Sequence, residues 1–275
     1  ASILPAKNLP TQQEFMLNLR PFTHLDAIAA NLWLAQALAQ DRLVCCMQKV
    51  VDRRGKHVGF EAFARIELED GTVMSGGAVM AASHALRIEY HVDRMLHRQA
   101  IQCFAESDLD GFVFINFLTG FIHRPEVYLD GLSQAASRYQ VRPGAVVLDV
   151  PVREYVADIP KLKSIASFCR ARGFALALDD VSTPEGLAHL LEQVRPSFVK
   201  LDGKMGTKLH EARTLGNLRE IVRLSHAMGA SVIAEAVENK EMHDIHLGAD
   251  VDMFQGYYFG APERFPRVVG LSARA

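Results

Sequence analysis

The chain has 275 residues, 49% of them hydrophobic and 23% charged, with a formal net charge of −2. Such a composition suits a globular protein and gives no electrostatic footprint for DNA or an anionic membrane. With no run of about 18 apolar residues to span a bilayer and no signal-peptide pattern, the expected location is the cytoplasm, alone or as a cytoplasmic domain of a larger protein.

Residues 1–30, with Pro5, Pro10 and Pro21, read as an N-terminal lead-in, and a helical run follows from His24 to Gln40. Residues 31–275 are expected to form one barrel domain. From about residue 43, short β-branched or aromatic runs alternate with helical patterns. The apolar runs are Leu43–Val51, His57–Phe63, Phe112–Phe117, Ala145–Val150, Phe174–Leu178, Phe198–Leu201, Ser231–Ala234 and Val251–Phe254. Several are too short and too apolar for half-exposed antiparallel strands, and read as buried parallel ones.

The first two runs are separated only by the polar, glycine-containing stretch Asp52–Lys56. No helix fits there, so an antiparallel hairpin is predicted. Helical stripes lie between later runs: Val92, Met95, Leu96, Cys103 and Phe104; then Leu162, Ile165, Ala166 and Cys169; then Leu215, Leu218, Val222 and Met228. Gly173 and Gly229 stand where the last two helices should end. Cys45, Cys46, Cys103 and Cys169 lack metal or redox spacing and read as core residues. The pattern predicts an α/β fold, a (β/α)8 TIM-like barrel with an irregular first strand. An open doubly wound sheet is disfavoured, because no glycine-rich phosphate fingerprint follows any strand.

Reactive groups in such barrels stand at the C-terminal ends of the strands. Here those ends offer Glu61, Asn116, Asp149, Asp179 with Asp180, Lys200, Glu235 and Gln255. A lone acidic residue after a strand is more often a turn or helix cap. Polar residues at successive strand ends ask for a shared explanation. Converging carboxylates repel unless cations neutralise them, and an oxygen-rich set suits Mg²⁺ or Mn²⁺. Lys200 reads either as a salt-bridge partner of Asp202 or a nearby carboxylate, or as a group that orients or deprotonates water or stabilises phosphate charge. The reaction class best served is metal activation of water against a phosphodiester.

The segments Gly59-Phe60-Glu61-Ala62-Phe63-Ala64-Arg65, Ile115-Asn116-Phe117, Asp179-Asp180, Val199-Lys200-Leu201-Asp202, Ala234-Glu235-Ala236-Val237-Glu238 and Gln255-Gly256-Tyr257-Tyr258-Phe259-Gly260 stand in order along the chain. Together they resemble the signatures of the EAL-domain family of cyclic di-GMP phosphodiesterases and receptors. The resemblance implies a barrel with an antiparallel first strand, two Mg²⁺ or Mn²⁺ ions, hydrolysis of cyclic di-GMP to the linear dinucleotide, homodimers and a partner signalling protein or domain. It makes Glu61, Asn116, Asp149, Asp179, Asp180 and Glu235 metal ligands or their close partners, with Lys200 acting on the water alongside Glu61 and Glu235. It makes Gln48, Arg65 and Gln255 substrate contacts, with Glu238 supporting the site from behind.

Three departures from the family pattern stand out. Asp149 replaces a glutamate and is one methylene shorter, which a metal site tolerates poorly. Val152 replaces a second glutamate that braces the loop after the paired aspartates. That loop, glycine-rich in the family, is Val181-Ser182-Thr183-Pro184-Glu185 here. Ser182 and Glu185 match a capping box with Pro184 in a first turn, which predicts a stiff helix start. The departures keep open a second reading, a catalytically inactive receptor or protein-interaction module.

Overall fold

The computed structural model describes residues 20–107, 109–117, 125–154 and 158–265, and the chain divides into two compact units. One comprises the chain up to Leu43 together with Arg65–Val92; the other comprises Val44–Ala64 and Asp93–Ala275. Two strands, β1 (Leu43–Asp52) and β2 (His57–Glu67), pair as the hairpin their short connection predicts. The turn closes through Asp52 N–H to the Lys56 carbonyl at 2.8 Å, while the Asp52 carboxylate accepts from the backbone of Arg54 and Lys56. Gly55, at φ 76°, takes the left-handed position that the turn requires.

In the first unit, helix α1 (Arg20–Ala39) extends the helical run expected from His24 four residues earlier. The last residues of β2 pair antiparallel with β3 (Val73–Ser75), and α2 (Gly76–Leu86) follows at once. Ser75 caps that helix by accepting from the Ala78 N–H at 3.2 Å. α1 buries Leu34 and Ala37, while α2 buries Val79, Ala82 and Ser83. Neither β3 nor α2 is among the elements expected from the sequence. Most of the expected lead-in lies outside the described residues.

In the second unit, α3 (Glu89–Glu106, whose first turn belongs to the first unit), α4 (Pro125–Arg138), α5 (Ile159–Ala171), α6 (Leu187–Val194), α7 (Ala212–Ala227) and α8 (Lys240–Gly248) alternate with six further barrel strands. These are β4 (Phe112–Asn116), β5 (Val146–Pro151), β6 (Ala175–Val181), β7 (Phe198–Leu201), β8 (Ser231–Ala234) and β9 (Met253–Phe254). The strand order β1-β9-β8-β7-β6-β5-β4-β2 closes through the β1–β2 pairing into a barrel of eight strands. β2 and β4 through β9 run parallel, whereas β1 is antiparallel to β9. A short β10 (Glu263–Arg264) adds to the outer edge of β1. This is the α/β barrel with an antiparallel first strand that the sequence predicts.

One layer of the barrel interior is Val50, Phe114, Val147, Ala177, Phe198 and Ile233, with the Phe114 and Phe198 rings edge-on at 5.3 Å. Large and small residues from different strands fill the lumen, so the barrel is a packed core and leaves room for chemistry only at its mouth. α5 buries Leu162, Ile165, Ala166 and Cys169, the stripe read from the sequence. On α7 the stripe needs one correction: Met228 is exposed beyond the helix end, and Ile221 is buried. The capping box is a second correction. α6 starts at Leu187 behind Gly186, which has φ 73°, with no side-chain cap. Residues 182–184 carry no helix. A glycine free to take a left-handed angle ends the non-helical stretch later than Ser182 and Glu185 imply. No helix among the described residues is long and apolar enough to cross a membrane.

Candidate functional site

Parallel pairing sets the height of each polar side chain. Glu61 lies opposite Phe114, Asn116 opposite Asp149, Pro151 opposite Asp179, and Leu201 opposite Ala234, which precedes Glu235. Along the register the acidic residues climb in steps of two, Asp149 standing two residues beyond the partner of Phe114 and Asp179 two beyond the partner of Asp149, the stagger of a tilted barrel, and side-chain alternation decides which of them enter the lumen. Asp149 and Lys200 enter it. They are 0% and 1% exposed.

Lys200 is the hub. Its ammonium lies 2.7 Å from Asp149 Oδ2, 2.7 Å from Glu235 Oε1 and 3.1 Å from Glu61 Oε2. The Phe114 ring lies beneath it, 6.0 Å to the centroid. The Asn116 amide donates to Glu61 Oε1 at 3.0 Å, so one residue from β4 completes the group. A charge this deep survives only when paired and hydrogen-bonded. Burial opposes the charge on Lys200, but Asp149, Glu235 and Glu61 together hold its proton well above the ordinary lysine range.

The carboxylates bear the converse strain. Burial pushes Asp149 up to about 8 against the pull of Lys200, and Glu61 and Asp179 add to the rise. Glu235 keeps 19% of its side chain exposed, yet its desolvation, Asp179 and Glu61 also raise it well above the glutamate range, again against Lys200. Asp149 Oδ1 is a buried acceptor with no hydrogen-bond partner. Such an atom asks for a proton or a cation.

The paired aspartates sit at the rim. Asp179 accepts from the Asp180 N–H at 2.8 Å, and Asp180 is held at φ 60°, left-handed for a non-glycine residue. Asp180 Oδ2 lies 3.0 Å from the Arg153 guanidinium, which also reaches Asp202 Oδ2 at 3.3 Å. Lys200 thus takes neither Asp202 nor Asp180; Arg153 does. Sequence reasoning missed Arg153, whose only signal is a basic residue just past the end of β5.

The remaining expected site residues separate into groups. Gln48 and Gln255 are buried and engage one another, Gln255 Nε2 donating to Gln48 Oε1 at 3.3 Å, while Gln48 Nε2 donates to the Gly260 carbonyl at 2.9 Å. Gly256 permits this arrangement: a Cβ there would meet the Val237 carbonyl at 2.1 Å, and Val237 N–H donates to the Gln255 carbonyl at 2.9 Å. Glu238 is exposed and stands outside the hydrogen-bonded cluster. Arg65 belongs to the first unit, where its backbone pairs with Ser75. Behind β4, the buried His97 donates from Nε2 to the Asn116 carbonyl at 2.8 Å, with its ring stacked on Phe117. That support, too, carries no mark in the sequence.

Among the described residues, no three His, Cys, Asp or Glu side chains stand together so as to hold a metal ion; Glu61, Asp149 and Glu235 close on Lys200 instead. The donors nevertheless fit a hard divalent cation. They are carboxylate and amide oxygens, and Asp149 Oδ1 is already desolvated and unpartnered.

Likeness to known proteins extends over most of the chain. Cyclic di-GMP phosphodiesterase PdeF of Escherichia coli (strain K12) is 22% identical over 242 residues, which cover 86% of this chain and 32% of PdeF. Probable cyclic di-GMP phosphodiesterase PdeG of the same organism is 26% identical over 238 residues, covering 83% of this chain and 46% of PdeG. The chain therefore spans about a third of one relative and under half of the other. Among solved structures, the Xanthomonas citri FimX EAL domain in complex with c-diGMP superposes with a TM-score of 0.76 at 21% identity, covering 86% of this chain and 94% of that one. A model of the EAL domain matches residues 31–262, and the chain belongs to the EAL-domain family.

Proposed function

We propose that this chain binds cyclic di-GMP at the barrel mouth and hydrolyses it to the linear dinucleotide with Mg²⁺ or Mn²⁺. The observation that carries the reading is the convergence of Glu61, Asp149 and Glu235 from three strands on one buried lysine, with the paired aspartates beside them. Similarity to the phosphodiesterase PdeF and to the Xanthomonas citri FimX EAL domain in complex with c-diGMP supports the choice of substrate.

Glu61, Asn116, Asp149, Asp179, Asp180 and Glu235 would hold the cations. A bound divalent ion supplies Lewis acidity toward the phosphodiester and a more acidic water. Lys200, kept protonated by its carboxylates, fits a donor that orients water and balances charge better than it fits a base. In the reaction the water oxygen bonds to phosphorus, the bond from phosphorus to a sugar oxygen breaks, and that oxygen leaves with a proton. Gln48 and Gln255, tied to each other, present a pre-ordered amide pair to the ligand.

A second reading, a receptor that binds the nucleotide without cutting it, is favoured by one observation. The shorter Asp149 is drawn to Lys200 at 2.7 Å and leaves its other oxygen unpartnered. The two readings separate in one experiment: cyclic di-GMP is incubated with the protein and Mg²⁺ or Mn²⁺, and binding is measured in parallel with Ca²⁺. Release of linear dinucleotide is the expected result. Binding without release selects the receptor, and neither binding nor release overturns both.

A further inference from the structure

Among the described residues, two cations at the mouth serve two sets of carboxylates. Lys200 serves Glu61, Asp149 and Glu235, and Arg153 serves Asp180 and Asp202. Arg153 stands on the single turn Val152–Glu154 directly after β5, the strand that carries Asp149. From there it bridges to the end of β6 through Asp180 and to the end of β7 through Asp202. Both partners are fixed. Asp202 accepts from the Lys204 N–H through its other oxygen at 2.9 Å, and its own N–H donates to the Val181 carbonyl at 3.0 Å. Asp180 is pinned by Asp179 in its left-handed conformation. The side chain of Val152, beside Arg153, has no group with which to hydrogen-bond to this corner.

We propose that Arg153 is a built-in counter-ion that occupies Asp180 and thereby lowers the affinity of this corner of the mouth for a divalent cation. The argument rests on the cation-binding reading above. The guanidinium takes an oxygen that a metal would need, and its positive charge opposes a second cation a few ångströms away. The opposition is moderated because Arg153 is 57% exposed, so water and salt screen it. Arg153 is therefore a positioning residue that tunes occupancy, displaced when enough metal is present.

The test is calorimetric titration of Mn²⁺ into the whole chain and into Arg153→Gln and Arg153→Lys variants, without nucleotide. Arg153→Gln should bind one Mn²⁺ up to about fivefold more tightly, whereas Arg153→Lys should stay close to the parent. In an Asp180→Asn background the gain from Arg153→Gln should vanish. An isotherm unchanged in Arg153→Gln, a gain that survives Asp180→Asn, or no Mn²⁺ uptake by any of the proteins overturns the proposal. Cyclic di-GMP binding, measured alongside in Ca²⁺, separates it from the functional reading. A Mn²⁺ gain without nucleotide binding sustains the role of Arg153 and removes the substrate; nucleotide binding with an unchanged isotherm removes Arg153 alone.

Discussion

Lys200 and Arg153 each gather carboxylates from neighbouring strand ends, but one is 1% exposed and the other 57%. The chemistry of the two contacts is alike; the medium is not. In the lumen, solvation has been largely stripped from four ionisable groups, so each is held by its partners and none can leave without exposing the rest. At the rim, water competes for every oxygen, and the ion pair is one option among several. The deep cluster therefore determines whether the barrel mouth holds together. The rim contact determines what the mouth can additionally accept.

The largest effect expected from breaking this contrast is at the hub. Lys200→Met leaves Asp149, Glu235 and Glu61 together with no cation. Removing one partner of a buried ion cluster costs about 3–5 kcal/mol, read as a lowered denaturant midpoint. Hydrolysis of cyclic di-GMP should be lost with it, while binding in Ca²⁺ persists at low temperature, because the cation can replace the missing charge. Normal turnover in Lys200→Met would remove Lys200 from the mechanism.

A middle effect comes from pH. Asp149 keeps its proton up to about 8 in the folded chain, against an ordinary 3.8 once unfolded. Between those values the folded form binds a proton that the unfolded form has released, so stability falls as pH rises. Glu235 is raised and acts in the same sense. Lys200 is also raised, but its stabilising share is lost only above the ordinary lysine range, outside this window. Asp149 alone should cost the metal-free protein up to about 1.4 kcal/mol per pH unit between pH 5 and 8, and Glu235 steepens the fall. Mn²⁺ should flatten that slope, since metal binding requires the carboxylates deprotonated. Melts across this range with chelator and with Mn²⁺ would show it; a stability that rises with pH in chelator would contradict the assignment.

How much of this was legible in the sequence follows from the range of the forces involved. The hairpin at Asp52–Lys56 and the buried strands could be read because a five-residue gap and an apolar run are local facts. Asp149, Lys200 and Glu235 could be named because parallel strands bring their C-terminal ends to the same mouth whatever the details of packing. The choice of partner could not be read. Lys200 was as plausibly bound to Asp202, two residues away, as to Glu61, 139 residues away, and only the side-chain alternation of closed strands decides for the latter. Arg153 was invisible for the same reason: an arginine past a strand end looks like any solvated charge until Asp202, 49 residues on, is placed beside it. The Ser182–Glu185 capping box failed because a local pattern competed with Gly186, whose left-handed angle lets the helix begin later.

The smallest effect belongs to the rim, and it sharpens the comparison most. Arg153→Gln removes an exposed guanidinium from Asp180 and Asp202 but leaves Asp202 capping its turn and Asp180 pinned by Asp179. Exposed pairs are worth about 0.2–1 kcal/mol, so stability should drop by less than about 1 kcal/mol, and by less still at high salt. The deep cluster, shielded from ions, should show no such salt dependence. Chemical denaturation of Arg153→Gln and Lys200→Met at low and high NaCl makes the comparison directly. If the Arg153 substitution costs as much as the Lys200 one, or is equally insensitive to salt, then the rim contact is part of the same desolvated network, and Arg153 would anchor the mouth instead of tuning it.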